Sequence, residues 1–127
     1  SNKKKFISKK LKFKCLDVIN DKLPYAEVYI IRQVFQHLKN KNIKKILSKV
    51  FKKKPLLIIV FEDVPKNKFK PNIDLPTDGF LTRHYINSGI DLRNYPFNFN
   101  FKKIHECSSS SNKNESKLVC YVYEKKN

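Results

Sequence analysis

Between Asn42 and Pro55 the sequence leaves the backbone little choice. Ile43, Ile46, Leu47, Val50 and Phe51 recur at i, i+3, i+4, i+7 and i+8, the apolar stripe of an amphipathic helix. Lys44, Lys45, Lys49, Lys52 and Lys53 fill the other face. Asn42 is a good N-cap by residue type, and Pro55 removes the N–H that a further turn needs. Leu56 to Phe61 is then a continuous apolar run of strand length, as in a central strand covered on both faces. A helix feeding directly into a buried strand makes this an α and β chain.

The surrounding sequence extends that reading. Leu11, Phe13 and Cys15 alternate with Lys12 and Lys14, which predicts a strand over 11–19 with one wet face. Pro24 suits the first turn of a helix. The apolar residues from Tyr25 to Leu38 predict a helix over 24–39, with His37 and Lys39 favoured by the dipole at its end. Val64 to Gly79 holds Pro65, Pro71 and Pro76 and predicts a long ordered loop. A short strand is expected over 80–86. Phe97, Phe99 and Phe101 alternate with Asn98, Asn100 and Lys102, as in a strand whose aromatic face is core and whose other face is open. The serines of 107–116 predict a low-complexity loop. Leu118 to Tyr123 predicts a last strand pairing with the Phe97 strand. The expected fold is a single α+β domain over 11–127 behind a basic N-terminal arm at 1–10. Two adjacent helices would pack on one face of a mainly antiparallel sheet of about four to five strands, with a parallel pair possible across the helical crossover.

Composition bounds the function. The chain has 127 residues, which is room for one domain. At 40% hydrophobic it can build a core without staples. Cys15, Cys107 and Cys120 are odd in number and scattered, which suits a reducing compartment and predicts an intracellular protein, nuclear or cytoplasmic. No apolar run is long enough to cross a bilayer, and no signal peptide is expected from the lysine-rich start. A chain that opens on Ser and contains no Met is expected to be a domain of something longer.

Charge is the main functional observation. Twenty-eight Lys and Arg stand against eleven Asp and Glu, a formal net charge of +17. An AT-rich genome would enrich lysine without function, but would scatter it evenly. Residues 1–54 instead carry a net +14 and residues 55–127 a net +3. A polarised cationic face attracts polyanions. The candidate anion-binding residues are Lys12, Lys14, Lys44, Lys45, Lys49, Lys52 and Lys53. Lysines outnumber arginines, which suits point-charge contact with phosphates better than bidentate reading of bases. RNA is therefore the favoured partner. Anionic phospholipid is the alternative, since lysines near acidic headgroups contribute about 1 kcal/mol each. A third reading is a protein-interaction domain with an acidic partner.

Enzymatic chemistry is not expected, and neither is a cofactor. Glu62, Asp63, Asp74 and Asp78 could hold Mg²⁺, but they also read as ordinary strand-end and loop residues. Glu115-x-Lys117 is a weak match to the acid-x-lysine element of restriction-type nucleases, which needs both residues inside a strand. Arg83-His84-Tyr85 offers a phosphate contact or a base. His105 with Cys107 is one pair of soft ligands where zinc needs two. Two glycines are too few for a phosphate-cradling loop.

Overall fold

The computed structural model describes residues 10–109 and 115–126. The expected basic arm, apart from Lys10, and the centre of the serine loop lie outside them. Among the described residues there are four strands, one α-helix and two 3-10 turns. The strands are β1 (Val28–Arg32), β2 (Leu57–Pro65), β3 (Phe101–Ser108) and β4 (Ser116–Lys125), and the helix is α1 (Asn40–Lys52). They form one sheet in the order β1-β2-β4-β3. β1 and β2 run parallel, joined through α1, while β2–β4 and β4–β3 are antiparallel. The α+β character and the mainly antiparallel sheet are as expected; the second helix is not there.

Residues 24–39 form β1 and a 3-10 turn at Phe35–His37 instead of a helix. Val28, Ile30 and Ile31 are β-branched, and such side chains are less constrained on a pleated surface than against a helical turn. Tyr29 and Ile31 turn toward the core, while Val28, Ile30 and Arg32 turn outward. Both faces of this strand are thus largely apolar, so a period of two is easily taken for a broad helical stripe. Gln33, at φ +52°, ends the strand and donates its N–H to Phe61 O at 2.7 Å.

Three smaller corrections follow the same logic. Residues 11–19 alternate correctly but have no ladder partner; apart from one isolated bridge at Leu11 they are irregular. Their end is fixed by an Asp17 carboxylate that accepts the N–H of Ile19 at 2.8 Å and the amide of Asn20 at 2.7 Å. The 80–86 strand is a 3-10 turn at Arg83–Ile86, closed by Asn87 in the left-handed conformation. The Phe97 strand begins only at Phe101, because Asn98 at φ +49° turns the chain first. Phe97 and Phe101 are nevertheless buried, and Phe99 packs against them as part of the core.

The core lies between one sheet face and α1. Ile43, Ile46, Leu47 and Val50 of α1 meet Ile58, Val60 and Val64 of β2 and Val119, Tyr121 and Tyr123 of β4. Each such side chain contributes about 1.5–3 kcal/mol on burial. Residues 66–100 cover the rest of that face. This long connection is ordered by buried polar tethers in place of regular structure. The Asn72 side chain donates to Asp91 O at 2.7 Å and Tyr95 O at 3.0 Å, and accepts the N–H of Asp91 at 2.8 Å. Gly89 passes so close to Val64 and Phe69 that an added Cβ would come within 2.8 Å of each.

The opposite sheet face is open. Register places Ile30, Ile59, Val122 and His105 in one row across the strands, and Arg32, Phe61, Cys120 and Cys107 in the next. None of these is buried, and Ile30 is 66% exposed. An exposed face of a sheet is ordinarily polar. This one is not.

Candidate nucleic-acid interface

α1 begins at Asn40, two residues before the expected cap, and its N-cap Lys39 has no side-chain cap bond. Its first N–H groups are met from the 66–100 connection. The Asp78 carboxylate accepts from Lys39 N at 2.6 Å and the Asn42 amide at 2.6 Å; the Asp74 carboxylate accepts from Asn40 N at 2.7 Å. Two of the four acids that could have held a metal, Asp74 and Asp78, are placed as helix caps, where the macrodipole favours negative charge. Among the described residues no group of three or more His, Cys, Asp or Glu is arranged to hold a metal ion.

With its apolar stripe buried, α1 presents lysines to solvent. Lys41, Lys44, Lys45 and Lys52 are exposed, and Lys12 and Lys14 are exposed on the N-terminal segment. That segment is tied to the helix by two of the lysines. Lys45 Nζ donates to Asn20 Oδ1 at 2.8 Å, and Lys49 Nζ donates to Val18 O at 2.6 Å and Asp21 O at 2.7 Å. Lys49 is half-buried, and two of its three N–H donors are engaged within the chain. Of the seven candidate residues it is the one most engaged in a structural task, with Lys45 adding a single exposed bond. Lys53 is half-buried as the C-cap of α1.

Beyond the helix C-terminus the lysines continue around a groove of about 540 Å³. Phe51, Phe99 and Phe101 supply its apolar wall, and Lys54, Lys125 and Lys126 its charged groups. Phe51 stacks on Phe99 with centroids 4.3 Å apart and planes at 25°. Phe101 lies 4.5 Å from Phe51. Among the described residues no acid lines the groove. The β3–β4 register pairs Phe101 with Lys125, which is how the chain's end reaches the helix end. Sequence reasoning missed this site. The run Lys52-Lys53-Lys54 and the terminal lysines were visible, but the pairing that joins them was not.

The remaining candidates are scattered or inward. Arg83 is fully buried, so it does not reach an external phosphate. Its guanidinium donates to Leu38 O at 2.5 Å and to Ile73 O, and lies 3.9 Å from the Asp74 carboxylate. Glu62 is also fully buried; its carboxylate accepts the N–H groups of Phe35 at 3.2 Å and Gln36 at 2.8 Å. Burial pushes the Glu62 carboxyl up to about 8, against the lowering effect of those two N–H donors and Arg83. His84 bonds Thr82 through Nδ1 at 2.8 Å. His105 and Cys107 are exposed on β3. Glu115 precedes β4 and Lys117 lies in it, so the acid-x-lysine pair does not share a strand. No family model, curated protein or solved structure matches the chain. Among the described residues no helix is long and apolar enough to cross a membrane.

Proposed function

We propose that this domain binds polyanions without catalysis, with RNA the favoured partner, through the lysine surface of α1 and the N-terminal segment. The observation that carries this reading is the surface itself. Lys12, Lys14, Lys44, Lys45 and Lys52 are all exposed, and none of the described ion pairs involves them. Such a surface meets phosphates as point charges and orders a backbone more than it reads bases. Anionic phospholipid could meet the same lysines.

The open sheet face supports a second reading, a protein-interaction domain within a larger assembly. Exposed apolar area of this kind marks docking surfaces, and it lies on the far side of the sheet from the lysines. The two readings are compatible in one molecule.

Parallel titrations separate the ligand classes. Binding of single-stranded RNA, duplex DNA and phosphatidylserine vesicles is measured from low to physiological salt. RNA is expected to bind most tightly and to retain that preference at the higher salt. Equal affinity for all three would leave the charge nonspecific and favour the protein partner; a vesicle preference would favour lipid.

A further inference from the structure

The groove at the C-terminal end of α1 differs from the rest of the cationic surface. Along α1 the lysines project into solvent from a helix whose apolar residues are buried. At the groove, the half-buried rings of Phe51 and Phe99 share one concavity with exposed lysines. Phosphates alone give no reason for aromatic rings to line their contact surface. A base beside its own phosphates does. Every base has a π-face, so stacking on aromatic side chains is tolerant of sequence, and cationic grooves that track the backbone commonly provide it. In a duplex the bases are already stacked and paired, so only an unpaired strand can offer one. The size falls within the usual range for small-ligand sites, about 300–1,000 Å³.

We propose that this groove takes an unpaired base of a single-stranded nucleic acid, stacked on the Phe51–Phe99 wall, with the flanking phosphates on Lys54, Lys125 and Lys126. This rests on the polyanion reading and narrows it to single strands. The three groove lysines match the phosphate charge, and among the described residues no side-chain carboxylate lines the site to oppose it. Phe99 reaches the groove from the turn ahead of β3, where its N–H donates to Leu92 O at 3.0 Å and fixes the ring's base. Asn100, exposed beside it, adds donors and an acceptor at the rim.

The test compares two strands with equal phosphates, a thymidine dodecamer and an abasic dodecamer, using the whole chain. The thymidine strand is expected to bind about tenfold more tightly, the effect of one stacked base. Phe99→Leu keeps an apolar side chain but loses the ring. It is expected to remove the difference while leaving abasic binding intact. Because Phe99 also packs on the core, a second measurement avoids altering it. A strand carrying 2-aminopurine is expected to lose fluorescence on binding, and Lys125→Glu with Lys126→Glu, both exposed, should abolish that quenching. Equal affinity for the two strands overturns the groove proposal while salt-sensitive binding upholds the polyanion reading. A thymidine preference that survives Phe99→Leu also overturns it. Binding to neither strand overturns both, and retention only on phosphatidylserine vesicles assigns the surface to lipid.

Discussion

Arg83→Ala is expected to lower the unfolding free energy by about 2–5 kcal/mol, chiefly from two buried carbonyls left without donors, a large share of the stability of an ordinary domain. The guanidinium is fully buried and joins segments far apart in sequence. One nitrogen donates to Leu38 O, just ahead of α1, and another to Ile73 O, in the connection that caps the helix. The ion pair to Asp74 adds to the same cluster, and Asp74 itself accepts from Asn40 N. Truncation would leave two carbonyls short of partners, open a cavity and remove the positive charge beside the Asp74 carboxylate. Arg83→Lys should recover little, because a single ammonium lacks the planar fork that spans both carbonyls. Urea denaturation measures the effect. An Arg83→Ala midpoint within about 1 kcal/mol of the parent protein would mean that this tether contributes little.

The second large effect is a loss of stability as pH rises. Glu62 ionises near its ordinary value of 4.5 when unfolded, but burial holds it protonated to about 8 in the fold. Between those values the folded state binds the extra proton, so stability is greatest below about 4.5 with respect to this group and falls until about 8. The slope is at most about 1.4 kcal/mol per pH unit. Depressed carboxylates act in the opposite sense at lower pH. Asp17 is held down first by its bond from Asn20, and Asp91 by its bonds from Arg93, despite the burial that opposes them. The diagnostic quantity is therefore the difference between the parent protein and Glu62→Gln. The variant should show a flatter profile from pH 5 to 8, displaced downward at low pH because its amide nitrogen cannot accept the second of the N–H groups of Phe35 and Gln36. Parallel profiles would contradict the buried, protonated state.

Sequence pattern revealed those elements whose two faces differ. α1 was legible because Ile43, Ile46, Leu47, Val50 and Phe51 point one way and lysines the other. β2 was legible from its apolar length and its flanking punctuation. β1 was not, because Val28 and Ile30 are apolar on the face turned to solvent, and an open apolar face looks like a wider core stripe. Nothing local marked Asp74 and Asp78 as caps, since the helix they cap begins far away in the sequence. The task of Arg83 was hidden for the same reason: its partners, Leu38 O and Ile73 O, come together only in the tertiary fold. The lysine surface was legible in outline. Lys49 was the exception, turned back on Val18 and Asp21. The groove came last of all, because it depends on the β3–β4 register that sets Lys125 against Phe101.

The central claim is that exposed lysines of α1 meet nucleic-acid phosphates. Each phosphate neutralised on a single strand releases counterion and adds about −0.7 to the slope of log affinity against log salt. Lys44, Lys45 and Lys52 are exposed on one helix, and their replacement by Ala removes only the exposed bond from Lys45 to Asn20, so stability should change little. The decisive measurement is that slope for single-stranded RNA, in the parent protein and in the triple variant. Weaker binding across all RNA sequences is expected, with a slope shallower by about two units. An unchanged affinity and slope in a folded triple variant would contradict it.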